Sequence, residues 1–145
     1  MIQRIQSIYL ALAAIALALL FMIPFATSTE AIPNMLQDKV YNIQDSPILI
    51  GLTVIGILVS LVAIFLYSNR GLQARISYFS IICSILLPLV AVLLIYNEGT
   101  VTTKADKIHD GFGIYIPIIS LIFSILAVRS IGKDDQLVKS MDRLR

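Results

Sequence analysis

Four long stretches of the chain contain no charged residue, and each is closed at both ends by a charge. They cover residues 5–29, 46–69, 76–97 and 111–128, with lengths of 18 to 25 residues. An α-helix rises about 1.5 Å per residue, so about 20 apolar residues cross the roughly 30 Å hydrocarbon layer of a bilayer. The pattern therefore predicts four membrane-spanning helices, at about residues 5–25, 48–68, 76–97 and 112–131.

The composition agrees with lipid as the solvent for these segments. Hydrophobic residues make up 58% of the 145 positions and charged residues only 14%, whereas a soluble domain carries about 25% charged residues. Four spans use most of a chain of this length and leave no room for a second domain. The predicted fold class is an all-α membrane protein, a four-helix transmembrane bundle that forms one domain over residues 1–145.

Two prolines interrupt the predicted spans. Pro88 lies near the middle of the third span, where it removes a backbone donor, so a kink is expected there. Pro117 lies in the first turns of the fourth span, so the regular helix either begins near Ile116 or bends at this point.

The two longer connections contain short stretches with strand character. Residues 39–43 alternate weakly, and residues 100–103 are Thr-Val-Thr-Thr, which is β-branched throughout. As a further hypothesis, these stretches pair into a small two-strand element in the outer loops, which covers one end of the bundle.

The basic residues are distributed unevenly between the two sides of the predicted bundle. Eight lie at the termini and in the middle connection, and three lie in the longer loops. The eight are Arg4, Arg70, Arg75, Arg129, Lys133, Lys139, Arg143 and Arg145. Short loops rich in Lys and Arg stay in the cytoplasm, so both termini are expected there. Arg4 before an apolar stretch is also typical of a signal peptide, but the stretch 8–25 is too long, which favours an uncleaved anchor helix.

Each predicted span carries two small residues four positions apart. These are Ala14 and Ala18, Gly56 and Ser60, Ser80 and Ser84, and Ser120 and Ser124. That spacing places both members on one helix face, where small side chains allow helices in a bilayer to approach closely. The pattern predicts a bundle that packs on itself, and the alternative is that some of these faces meet a partner protein.

Few residues of the chain suggest catalytic or metal chemistry. The spans contain no charged side chain, which disfavours proton-coupled transport. The only histidine, His109, lies in a loop with Asp106 and Asp110, where Asp and His could share a metal only if the segment were helical. We interpret this segment as an exposed loop. Because Ser80, Cys83 and Ser84 have no base nearby in sequence, we expect no enzyme with an activated nucleophile. We also expect no cofactor and no nucleic-acid partner.

The charged tail, residues 132–145, is predicted to form an amphipathic helix. Its apolar face comprises Leu137, Val138, Met141 and Leu144, and its basic residues are Lys139, Arg143 and Arg145. Asp134 and Asp135 lie at the start of this helix, where the helix dipole favours acids. The tail either lies on the anionic headgroups of the membrane or docks to a cytoplasmic partner.

The two ends of the chain resemble a known family. Residues 1–10, Met-Ile-Gln-Arg-Ile-Gln-Ser-Ile-Tyr-Leu, and residues 135–145, Asp-Gln-Leu-Val-Lys-Ser-Met-Asp-Arg-Leu-Arg, are similar to an uncharacterised family of small four-span inner-membrane proteins from Bacteroidota. That family is known only as a domain of unknown function. The resemblance implies a bacterial inner-membrane location and no established activity, so no site residues are carried over.

Three functions remain as hypotheses. The first is a non-catalytic accessory or scaffold subunit of an envelope complex, such as a protein-export or respiratory complex, that contacts membrane lipids and a membrane-protein partner. The second is a small lipid- or quinone-binding protein with an apolar pocket near Pro88 and Pro117. The third, ranked last, is an enzyme that uses the loop around His109.

Overall fold

The computed structural model describes residues 3–28, 38–99 and 108–142. In these residues the chain forms four α-helices: α1 (Gln3–Leu19), α2 (Pro47–Phe65), α3 (Arg70–Gly99) and α4 (Tyr115–Asp142). Helix α1 packs against α2 and α4, and α3 packs against the same two helices. This up-and-down arrangement confirms the predicted four-helix bundle. We call the end with the start of α1, the α2–α3 connection and the end of α4 the terminal end, and the opposite end the sheet end.

Three of the four described helices, α2, α3 and α4, are long and apolar enough to cross a membrane. The apolar part of α1 is shorter, Ile5–Leu19, and ends before the predicted limit near residue 25. Pro24 disfavours the helical conformation at the residue before it, and the chain leaves α1 through a tighter turn. Leu20, Phe21 and Met22 each donate a backbone hydrogen bond to the carbonyl three residues earlier, which is 3₁₀ geometry.

A three-stranded antiparallel sheet covers the sheet end. Its central strand, β1 (Ala26–Ser28), pairs with β2 (Val40–Tyr41) and with β3 (Ile108–Asp110). The strand expected within residues 39–43 is therefore confirmed, but its partner is β1, and the sheet has three strands where two were predicted. The other predicted strand, residues 100–103, lies outside the described residues.

Two glycines connect the sheet to the start of α4. Gly111 donates its N–H to the carbonyl of Phe25 (2.8 Å), and Gly113 donates to the carbonyl of Pro24 (2.9 Å). The backbones approach so closely that a Cβ atom on either glycine would lie 2.5 Å from the carbonyl oxygen of Pro24. Only glycine permits this contact, which holds the chain after α1 against the chain before α4.

Helices α3 and α4 continue through the residues that were expected to interrupt them. Helix α3 runs without a break through Pro88, and the kink expected there stays a prediction. Helix α4 begins at Tyr115, so Pro117 lies in the first turn, where its missing N–H has no helical partner to lose. Helix α4 then passes through Gly132 to Asp142, so the predicted separate tail helix is the continuation of the fourth helix.

Candidate functional site

Serine hydroxyls connect three helices in the middle of the bundle. The Oγ atom of Ser60 on α2 lies 2.7 Å from Oγ of Ser80 on α3, which lies 3.2 Å from Oγ of Ser124 on α4. All three residues are fully buried. A hydroxyl group both donates and accepts hydrogen bonds, so the three serines are hydrogen-bond partners for one another where the surrounding apolar side chains offer none.

A second pair of serines lies one turn further toward the sheet end. Ser84 on α3 is 3.2 Å from Ser120 on α4, and the Ser120 hydroxyl donates to the backbone carbonyl of Ala13 on α1 (3.2 Å). We call these five serines, 60, 80, 84, 120 and 124, the serine ladder. The ladder connects all four helices, and it contains most of the small residues that the sequence placed at helix contacts.

The remaining small residues differ in their surroundings. Gly56 is buried on α2, and a Cβ atom there would lie 2.9 Å from Cδ1 of Leu17. Ala14 on α1 is buried, whereas Ala18 is exposed. The packed face of α1 runs through Leu10, Ala13 and Leu17, and Ala18 turns away from it, so Ala14 and Ala18 are not a packing pair.

Replacement of Ser80 by alanine is expected to lower the free energy of unfolding by about 1 kcal/mol, because Ser60 and Ser124 both lose a hydrogen-bond partner. Denaturant titration in detergent micelles measures this change. Ser68→Ala is the matched control, since Ser68 is exposed in the α2–α3 connection. Equal effects of the two substitutions would show that the ladder contributes nothing to stability.

A buried carboxylate lies at the terminal end of the bundle. Asp134 on α4 is only 5% exposed, and its Oδ2 accepts a hydrogen bond from Nε2 of Gln6 on α1. The same Gln6 nitrogen lies 3.3 Å from the carbonyl oxygen of Ser130, and Nη1 of Arg70 on α3 donates to the carbonyl of Asp134 (3.1 Å). Asp134 had been placed in the first turn of a separate tail helix. It lies instead within α4, where its hydrogen bonds connect α1 and α4.

A shallow groove opens at the terminal end of the bundle. Its volume is about 720 Å³, and it lies between the α2–α3 connection and the end of α4. The residues that line it are Tyr67, Ser68, Asn69, Arg70, Gly71, Asp135 and Val138. Asn69 fixes the start of α3 here, because its Oδ1 accepts the N–H of Leu72 at 3.2 Å.

The last turns of α4 carry the apolar face that the sequence predicted for the tail. We call residues 132–142 the α4 extension. Leu137, Val138 and Met141 are 50%, 38% and 65% exposed, while Lys139 pairs with Asp135 at 2.6 Å. Arg143, Leu144 and Arg145, which complete the predicted surface, lie outside the described residues.

The loop proposed as an enzyme or metal site has no helical geometry in its described part. His109 is exposed and lies in β3, opposite Thr27 in the sheet register. A strand does not bring residues three apart onto one face, so the spacing that a shared metal would need is not formed at residues 108–110. Within the described residues no group of three or more His, Cys, Asp or Glu side chains could hold a metal ion.

The space near Pro88 and Pro117, where an apolar pocket was expected, contains packed side chains. Leu87 and Ala91 of α3 and Ile116 of α4 belong to one buried apolar cluster. Leu87 and Ala91 are fully buried, and Ile116 is 7% exposed. This packing does not favour a lipid or quinone pocket between these two helices.

A bundle of four apolar helices, closed at one end by a small sheet, is the architecture of a helical membrane protein. Within that class, a family model described as "Domain of unknown function (DUF4293)" matches residues 2–144, and the chain belongs to this family. The resemblance to a domain of unknown function is thereby confirmed. Comparison with curated proteins and with solved structures finds no match.

Proposed function

We propose that this protein is a non-catalytic, multi-pass protein of the bacterial inner membrane that serves as an accessory or scaffold subunit of an envelope complex, such as a protein-export or respiratory complex. The observation that carries this proposal is the α4 extension. It presents Leu137, Val138 and Met141 to solvent on a segment that also carries charged residues. A partner protein that covers these side chains explains why they lie on one exposed surface.

The length of α4 supports a segment that projects from the membrane. Its 28 residues correspond to about 42 Å of helix, whereas the hydrocarbon layer is about 30 Å thick. The first charged residue along α4 is Arg129, so the helix is apolar from Tyr115 to Val128. About 12 Å of the helix exceeds the hydrocarbon thickness, which leaves most of the α4 extension in water.

The first helix also fits a complete span, which gives four in total. Its 17 residues provide about 26 Å of α-helix, and the 3₁₀ turn through Met22 adds about 6 Å. Together these lengths match the hydrocarbon thickness. The even number of spans places both termini on the same side.

The distribution of basic residues supports a cytoplasmic terminal end. Arg70, Arg75, Arg129, Lys133 and Lys139 all lie at this end of the described bundle. The sheet end carries Lys39 at the start of β2. Basic residues in short connections are retained in the cytoplasm, so the sheet faces the periplasm in the proposed arrangement.

The proposal predicts that aspartate at Val138 abolishes co-purification of the partner in mild detergent, because a charge replaces an apolar contact. Gln136→Asp is the matched control, since Gln136 is exposed on the opposite side of the same helix. A photocrosslinker at Val138 of the full chain, in native membranes, should capture one envelope protein several-fold more than a crosslinker at Gln136. A chain that purifies alone, with equal crosslinking at both positions, would contradict the proposal.

A further inference from the structure

Helices α3 and α4 keep one register from the serine ladder to the terminal end. Ser80 lies against Ser124, and Ser84 lies against Ser120. Ten residues before Ser80 is Arg70, which donates to the carbonyl of Asp134, ten residues after Ser124. The antiparallel register therefore extends from the serine ladder to Arg70 and Asp134 at the terminal end.

This register places two glutamine side chains at the same level of the bundle. Gln73 follows Arg70 by three residues, so it lies at the level of Ile131 on α4. Gln6 of α1 reaches the carbonyl of Ser130 on the same turn. Gln73 is 1% exposed, and it shares its helix face with the buried residue Ser77, so its side chain lies inside the bundle.

The two buried amides differ in their hydrogen bonds. Nε2 of Gln6 contacts both the Asp134 carboxylate and the Ser130 carbonyl. In contrast, both Nε2 and Oε1 of Gln73 are fully buried without a hydrogen-bond partner among the described residues. A buried polar group without a partner is costly, so a native structure that keeps one normally supplies its partner from outside the chain.

The chemistry of the Gln73 amide selects the ligand. The amide has two donors on nitrogen and an acceptor oxygen. A cation would satisfy only the oxygen, and an anion only the nitrogen. A water molecule donates and accepts at once, and buried waters are found where several polar groups converge. The register places Gln73 at the turn of α4 that carries the Ser130 carbonyl and the Asp134 carboxylate, the two groups that Gln6 contacts.

We infer that the terminal end of the bundle contains an internal water site in which ordered water binds the Gln73 amide and connects it to Asp134. Toward the serine ladder the site is bounded by one buried apolar cluster of Leu10, Ala63 and Ala127, each with 0% exposure. This apolar layer separates the site from the serine ladder.

The direct test is transfer of magnetisation from water to glutamine side chains, measured by NMR on the full chain in lipid nanodiscs with ¹⁵N-labelled glutamine and alanine. Loss of one signal in Gln73→Met assigns the Gln73 amide. Rapid transfer from water to this amide is expected although Gln73 is buried, while the backbone N–H of Ala63 in the apolar layer should receive none. If the Gln73 amide received no more magnetisation from water than the backbone N–H of Ala63, the water site would be refuted.

Thermal stability gives a second, independent readout. If water binds Gln73, methionine removes a partner of that water, and Tm should fall by about 3 °C. If the amide is dry, methionine removes two unsatisfied polar atoms and Tm should rise. Gln136→Met makes the same chemical change at an exposed position of the same end and corrects for general effects. A Tm for Gln73→Met that equals or exceeds that of this control would refute the water site.

Discussion

Alanine at Gly113 is expected to lower the free energy of unfolding by about 3 kcal/mol, the upper range for overpacking of a close contact. The added Cβ would lie 2.5 Å from the carbonyl oxygen of Pro24, 2.7 Å from its carbonyl carbon and 2.9 Å from the nitrogen of Phe25. These are backbone atoms, so no side chain can rotate away. Any shift of the chain also breaks the hydrogen bond from Gly113 to Pro24. Denaturant titration in micelles measures the loss.

The matched control for this change is Gly132→Ala within α4. No atom of the described residues outside its own helix backbone lies within 4 Å of a Cβ atom at this position. Alanine is the better helix former by about 1 kcal/mol, so this variant should be as stable as the parent or more so. If Gly113→Ala were equally stable, the close approach of the two backbones would not exist in solution.

Leucine at Gly56 is expected to have an effect of similar size in the middle of the bundle. A Cβ atom there would lie 2.9 Å from Cδ1 of Leu17 on α1 and 3.4 Å from Cβ of Cys83 on α3. Leu17 is fully buried, so its side chain has no free space to enter, and the remaining atoms of a leucine would separate three helices. We expect a loss of about 3 kcal/mol or failure to form the bundle.

Gly51→Leu provides the comparison, because it makes the identical change in the same helix. A Cβ atom at Gly51 meets no atom of the described structure within 4 Å, its own helix backbone aside. This variant should be tolerated, with a Tm close to that of the parent protein. Similar yield and Tm for the two leucine variants would show that α1, α2 and α3 do not converge at Gly56.

The helices could be predicted from the sequence because charges mark the limits of apolar segments, and lipid imposes that pattern. The end of α4 could not be predicted in the same way. Lys133, Asp134 and Asp135 indicate the exit from an apolar segment, but they do not show whether the helix stops there. Helical hydrogen bonds continue through Gly132, and Asp134 is buried because Gln6, near the start of α1, lies beside it.

The contact between Gln6 and Asp134 could be predicted only in part from the sequence. Gln6 shares the helix face of Leu10, Ala13 and Leu17, which follow at steps of four, three and four residues. That spacing places a polar residue on the packed face of α1 and so requires a polar partner. The partner could not be named, because it lies at the other end of the chain.

The sheet shows the limits of local strand patterns. Strand β2 has alternating character and was predicted, whereas β1 and β3 contain three residues each and have no pattern of their own. Their pairing follows from the positions of Phe25 and Gly111, which the helices bring together. Short strands of this kind are specified by tertiary structure, so the strand propensity of their residues does not predict them.

The pairing of β1 with β3 has a consequence for biogenesis. The central strand leaves the ribosome early, but one of its two neighbours is made only after α3 is complete. Helix α1 likewise cannot pack against α4 until α4 has been synthesised. Helices α2 and α3 follow each other directly and can associate as a hairpin as soon as both are synthesised. A nascent chain released before β3 would lack both this strand and α4, so closure of the sheet coincides with the arrival of α4.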